Sequence, residues 1–226
     1  MLAIAGKSVF RHVVEGFSSL FSTEDFLFVL PDDTRIAAFV KNECDAIGLV
    51  DPSLAVLDGP TRGQAETVEQ GLARAAVDGE SPLSIFNIDT IRTGFDYPLN
   101  LDLGAVDGYL EVFEGDGDGW SFVRPARENS GRVAETAEKQ RISNLCCTGF
   151  YHFRTARHFT DTFTDALNDP DWPLVNGEYY VAPLYNRLIV GGADIRYHLI
   201  RKSEVSSCGS PDQYEAMRRQ MEYDDG

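Results

Sequence analysis

Four short stretches carry residue types that could do chemistry. In "LSIFNIDT" (83–90) an apolar run ends on Asp89. A carboxylate at the carboxyl end of a buried strand stands where open α/β sheets bind ligands, and it can hold Mg²⁺ bound to phosphates. It can equally cap the following turn, with Thr90 beside it. In "LDGPTRGQAET" (57–67) a strand runs through Gly59 and Gly63 into a helix. Glycine lets backbone approach a flat base or a phosphate, and a helix N-terminus favours negative charge, although an ordinary strand-to-helix turn uses glycine too. In "RVAETAEKQRISNLCCTGFY" the pair Glu138–Lys139 ends a strand. A lysine there can hold a phosphate while the carboxylate accepts hydroxyls, or the two can be a solvated surface pair. In "VNGEYYVAPLYN" (175–186) Asn176 and Gly177 make a turn and Glu178 leads toward a helix, as a cap or as part of a pocket that Tyr179 and Tyr180 could line.

The elements that must position these residues alternate in the first half. Val9, Phe10, Val13, Val14, Phe17, Leu20 and Phe21 follow helical spacing. Strands are expected at 25–30, 54–59 and 83–88, the last apolar enough to be buried on both faces. Helices are expected over 32–48, with Asp33 or Asp32 as N-cap, and over 65–77. The second half reads as four short strands, 109–115, 120–126, 131–139 and 144–153, separated by Gly/Asp/Asn turns. A helix at about 154–168 places Ala156, Phe159, Phe163 and Leu167 on one face. Another helix lies in "APLYNRLIVGG", and the last is capped by Ser210 with Pro211 in its first turn. The rhythm predicts an α/β fold with a mixed, mostly parallel sheet, helices on both faces and an extra antiparallel β element, as one domain over 1–226.

The chain has 226 residues and a formal net charge of -16. A field of that sign repels phosphate backbones and anionic lipid, which argues against nucleic-acid and membrane-surface partners, while one bound Mg²⁺ can reverse the sign locally for a nucleotide. No apolar run approaches the roughly 20 residues of a membrane helix, and "LAIAG" is too short for a signal-peptide core, so the cytoplasm is the expected location. Cys44, Cys146, Cys147 and Cys208 form no C-x-x-C and are expected to be reduced, partly buried thiols. The four histidines are scattered, and spacing gives none of them a nucleophile partner.

Taken in order, "NID", "YLEVFEG…WSFVRPARENSGRVAETAEKQRISNLCCTGFYHF", "NGEYYVAPLYNRLI" and "CGSPDQYEAM" resemble the sugar-phosphate nucleotidylyltransferases. These are the nucleoside-diphosphate-sugar pyrophosphorylases of the GT-A/Rossmann-like fold, and the likeness is to a subgroup found in capsule and surface-polysaccharide biosynthesis. The resemblance runs from "AGKSVFRHVVEGF" to the last helix. It implies that a sugar 1-phosphate oxygen attacks the α-phosphorus of a nucleoside triphosphate and that pyrophosphate leaves. It also implies that Asp89 binds Mg²⁺, and that Gly63 with Pro60 and Gln64 contacts the nucleotide. Lys139 would hold the sugar phosphate, and Glu138, Ser121, Tyr151 and Glu178 would line the sugar pocket. The partners implied are an NTP and a sugar 1-phosphate or similar phosphate, with a homo-oligomer possible.

Two departures from the family pattern bear on activity. Many members carry a second metal-binding aspartate before "G-[ST]-P", where this chain has Ser207. Members also open with a strand, a glycine-rich loop with an arginine, and a "K-P" segment before the equivalent of "LAIAGKSVF". On that pattern the chain is expected to be N-terminally truncated, to keep the sugar-phosphate half of the site and to turn over poorly. Its sheet is then expected to have a gap or an exposed strand next to Asp89. Two other readings are a GT-A glycosyltransferase using a ready-made nucleotide sugar, which would favour a D-x-D where "NIDT" stands, and a non-catalytic remnant that binds sugar phosphates.

Overall fold

A computed structural model describes residues 2–128 and 130–224. The chain opens with a small hairpin, β1 (Ala3–Ile4) and β2 (Lys7–Ser8), and then α1 (Val9–Glu15). Ser8 caps α1 by accepting from Arg11 N at 3.0 Å, and Val13 and Val14 give the helix its buried face. Next come β3 (Leu27–Pro31), α2 (Thr34–Ile47) and β4 (Ser53–Leu57). Asp33 caps α2 at its start, and Gly48 closes it in the left-handed conformation that glycine supplies without strain.

After α3 (Gln64–Arg74) the chain forms β5 (Leu83–Ile85), β6 (Thr90–Arg92), β7 (Gly108–Glu114), β8 (Ser121–Pro125), β9 (Val133–Glu138) and β10 (Leu145–Phe153). It ends with α4 (Ala156–Asn168), α5 (Tyr185–Val190), β11 (Ile195–Ile200), β12 (Val205–Ser207) and α6 (Pro211–Asp224). The mixed α/β architecture is the one expected. Two details differ. β5 stops at Ile85, three residues early, and Ile88 is exposed rather than buried on both faces. On α4 the buried turn ends at Ala166, leaving Leu167 exposed.

The main sheet has six strands in the order β11-β7-β10-β8-β9, with β5 also on β10. β11 runs parallel to β7, and β10 is antiparallel to β5, β7 and β8. Since β7 takes one edge of β10, β8 and β5 share the other. β8 pairs with Leu145 and Cys146, and β5 with Tyr151 to Phe153. Between them the pairing of β10 with β7 is irregular and Gly149 has φ +93°. Alternate residues face opposite layers. Leu110, Val112, Tyr151 and Phe153 meet Phe159, Phe163 and Tyr185 on one side. Tyr109 and Phe150 meet Phe17, Phe95 and Phe86 on the other. Cys146 and Cys147 likewise split between two clusters, and all four cysteines are free and buried.

The parallel pair β3–β4 and the antiparallel pair β6–β12 are separate two-stranded sheets. Among the described residues, the edge of β5 away from β10 and the edge of β3 away from β4 pair with no strand. The β6–β12 pair is tied to the main sheet by a buried fork. Arg92 Nε and Nη2 donate to the two oxygens of Glu111 on β7 at 2.9 and 3.1 Å, and Thr148 of β10 adds a bond at 3.2 Å. With both partners nearly inaccessible, removing either one leaves a buried charge, at a cost of about 3–5 kcal/mol. Among the described residues no helix is long and apolar enough to cross a membrane.

Candidate active site

The β8–β9 hairpin places Ser121 directly opposite Glu138. Ser121 Oγ donates to Glu138 Oε2 and lies 3.1 Å from the Tyr151 hydroxyl on β10. Glu138 and Tyr151 are both buried. Burial raises the Glu138 carboxyl above its ordinary range, while the Ser121 hydrogen bond pulls it back. Burial also drives the Tyr151 hydroxyl well up, with the charges of Cys147, Glu138 and Asp89 adding to it. These three side chains form a wall of donors and acceptors held before any ligand arrives.

The next residue, Lys139, sits at φ +51°, a conformation costly for a residue with a Cβ. That twist swings its side chain out of the strand. Lys139 Nζ donates to the Tyr180 hydroxyl at 2.6 Å, and Tyr180 donates to Glu178 Oε2 at 2.7 Å. The hydrogen bond to Tyr180 is the main reason the Lys139 amine is held above its ordinary value, so it stays cationic. Asn176 and Gly177, at φ +54° and +80°, make the left-handed turn that presents Glu178. Tyr179 points the other way and packs into the core.

The loop before α3 docks on the same segment. Tyr179 N donates to Arg62 O at 2.7 Å, and Ala65 N to Tyr179 O at 3.0 Å. Gly63, at φ +107°, permits this, because a Cβ there would stand 2.7 Å from Tyr179 O. Gln64 Nε2 donates to Asn87 Oδ1, two residues before Asp89. The sequence-predicted residues fall on a circuit made partly of contacts and partly of chain neighbours. It runs from Gly63 through Glu178, Tyr180 and Lys139 to the adjoining Glu138, Ser121 and Tyr151. Tyr151 pairs with Ile85 on β5, four residues before Asp89, and Asn87 in that stretch bonds Gln64. Pro60 lies on the exposed start of the loop and is not joined to the circuit by these contacts. Of the two tyrosines that could line a pocket, Tyr180 bonds Lys139 and Tyr179 packs in the core, while Asn87 is not among the residues the sequence singles out. Asn87 stands inside the "NID" motif itself, which is the signal that could have found it.

Asp89 is exposed, and its backbone carbonyl is fixed by Cys208 N at 2.8 Å. A Cβ on Gly209 would stand 2.7 Å from Asp89 Oδ2, so the glycine of "CGSP" makes room for the carboxylate. Strand pairing puts Ser207 opposite Thr90, the neighbour of Asp89. The Ser207 hydroxyl donates to Gln213 Oε1 at 3.2 Å. Among the described residues no cation pairs with Asp89, and no cluster of three or more His, Cys, Asp or Glu could hold a metal. The donor set is therefore one carboxylate without a cation, with the Thr90 hydroxyl 3.5 Å from Asp89 Oδ1 and Ser207 across the strand pair from Thr90. That fits Mg²⁺, which keeps several waters and is bound through one or two carboxylates plus substrate phosphates.

No protein-family model matches the chain, and no curated protein matches it. Solved structures do. A nucleoside-diphosphate-sugar pyrophosphorylase from Vibrio cholerae RC9 is 42% identical, with a TM-score of 0.91 over 97% of this chain and 91% of that one. A UDP-glucose pyrophosphorylase complexed with UDP-glucose aligns over 100% of this chain and 90% of that one at 15% identity, TM-score 0.72. An inositol-1-phosphate CTP transferase from T. maritima aligns over 96% and 84% at 14% identity, TM-score 0.69. At those identities the last two speak for the fold alone.

Proposed function

The chain belongs to the nucleoside-diphosphate-sugar pyrophosphorylases, and from that premise we propose that it transfers a nucleotidyl group from an NTP to a sugar 1-phosphate or a chemically similar phosphate. An oxygen of the acceptor phosphate forms a bond to the α-phosphorus, the bond to the β-phosphate oxygen breaks, and pyrophosphate leaves. The observation that carries this reading is a pinned cation, Lys139, directly beside a buried hydroxyl-binding wall, Ser121–Glu138–Tyr151. A sugar phosphate needs both features, one for each end of the molecule.

Lys139 holds the acceptor phosphate and offsets its repulsion from the triphosphate. Glu138 and Tyr151 orient the sugar through its hydroxyls, and Glu178 with Tyr180 fixes the lysine. Asp89 and the Ser207 hydroxyl are the groups that would hold Mg²⁺, which when bound neutralises phosphate charge at the reacting phosphorus. The docked Gly63 loop, with Gln64 and Pro60, receives the base. The product is a nucleotide sugar serving surface-polysaccharide synthesis in the cytoplasm.

The test is release of pyrophosphate from the 226-residue chain given each NTP, a panel of sugar 1-phosphates and Mg²⁺. No release with any pair overturns the proposal. Transfer of sugar from a nucleotide sugar to an acceptor, without pyrophosphate, points instead to a glycosyltransferase.

A further inference from the structure

Asn87 stands where three parts of the site come together: the start of α3, the irregularity in β10 and the turn that carries Asp89. Its Oδ1 accepts from Gln64 Nε2, on the first residue of α3 after the docked loop. Its carboxamide lies against the bare Cα of Gly149, where a Cβ would stand 2.7 Å from Asn87 Nδ2 and 2.8 Å from Cγ. Gly149 marks the irregularity in β10, between the residues that pair with β8 and those that pair with β5, and Tyr151 follows two residues later. Asp89 lies two residues beyond Asn87, on the turn into β6. β5 ends at Ile85, so between Ile85 and Thr90 the chain is in no sheet ladder. The Asn87 side chain takes over there. It sits in the space that Gly149 leaves and is gripped by Gln64.

We infer that Asn87 is a positioning residue, which sets where Asp89 stands relative to the Gly63 loop on one side and the Tyr151 wall on the other. The inference rests on the proposed nucleotidyl transfer for its catalytic meaning, but its geometric content does not. Two polar groups meet a backbone that only glycine can bring close. A loop residue fixed at both ends transmits displacement, so loosening Gln64 shifts the Asp89 turn even though the two never touch. Asp89 itself needs no such support for folding, since its carboxylate is exposed. The wedge therefore acts on where that carboxylate points.

The experiment uses the full chain and the variants Gln64→Ala, Asn87→Ala, Gly149→Ala and the Gln64→Ala/Asn87→Ala double. Hydrogen–deuterium exchange is read over 61–66, 86–92 and 176–181, beside NTP and sugar 1-phosphate kinetics. Asn87→Ala is expected to speed exchange at least about fivefold in both 61–66 and 86–92. It should lower kcat about tenfold or more, with the KM for sugar phosphate within about twofold. Gln64→Ala, which removes one contact of Asn87 and leaves the one with Gly149, should move the same two segments by less, and the double variant should be no worse than Asn87→Ala. Gly149→Ala should mimic Asn87→Ala. Unchanged exchange in 61–66 for Asn87→Ala overturns the inference. So do additive effects in the double variant, or a kcat loss matched by an equal rise in sugar-phosphate KM. If the unaltered chain releases no pyrophosphate, the proposed reaction falls, and the exchange data alone then decide the role of Asn87.

Discussion

Two parts of the site solve opposite electrostatic problems. The Ser121–Glu138–Tyr151 wall is buried, and its polar atoms already bond one another. The Asp89 turn is exposed, and among the described residues its carboxylate has no cation. A wall satisfied in advance suits a neutral, hydroxyl-rich ligand that exchanges bonds one for one, at little net cost. A bare carboxylate suits a hard cation that brings its own water and phosphates. On the proposed reaction, the difference would separate residues that recognise from residues that react. Lys139 stands between them, cationic like a reacting group but pinned like a recognising one.

The sharpest way to break this contrast is Asp89→Asn. The expected loss in Mg²⁺-dependent kcat is about 100-fold or more, some 3 kcal/mol of transition-state stabilisation. Thermal and urea stability should stay within about 0.5 kcal/mol, because the residue is exposed and its carboxylate accepts only a long bond from Thr90 Oγ1, at 3.5 Å. Mn²⁺ relaxation titration checks the same point without turnover. A variant that keeps both its rate and its metal affinity would mean that Asp89 is only a turn cap.

Substituting Lys139 comes next. Lys139→Met should raise the KM for sugar 1-phosphate about 10- to 100-fold. Lys139→Gly should do the same, yet relieve about 1 kcal/mol of left-handed strain and raise Tm by roughly 2–4 °C. Higher stability with lower affinity is the signature of strain kept for function. Equal losses of stability and affinity would instead make Lys139 a structural residue.

How much of this was legible in the sequence follows from the length of each signal. α2, α3 and α4 span three turns or more, and their apolar periodicity and caps mark them plainly. β11 was missed, although "IRYHLI" alternates in period two, because it follows the glycine end of α5 closely. β6 and β12 are three residues each, too short for any pattern, and their pairing joins segments more than a hundred residues apart. The candidate site residues come from family likeness and motif order, whereas Asn87 and Gly149 meet through a contact that no local spacing encodes.

Tyr180→Phe tests the pinning of Lys139 more gently. It removes one hydrogen bond from the amine and one to Glu178, leaving the ring in place. The KM for sugar phosphate should rise about 3- to 10-fold with kcat nearly unchanged, the scale of one or two bonds to charged groups. A change confined to kcat would place the tyrosine with the reacting groups instead.

The smallest expected effect tests the wall itself, through Glu138→Gln. Burial holds the Glu138 carboxyl above its ordinary value of 4.5, so the native state binds that proton more tightly than the unfolded chain does. The stability this contributes is complete below about pH 4.5 and is lost as the pH rises through the folded-state value. Glutamine keeps the shape and removes the ionisation. The variant and the unaltered chain should therefore be closest in stability near pH 4, and the variant should gain ground as the pH rises toward 7. Urea unfolding at four pH values reads this directly, because other titrating groups cancel in the difference. A gap that moved the other way would mean the wall stabilises the carboxylate rather than tolerating it. Glu138 would then be a second charge awaiting a cation, and the contrast with Asp89 would collapse.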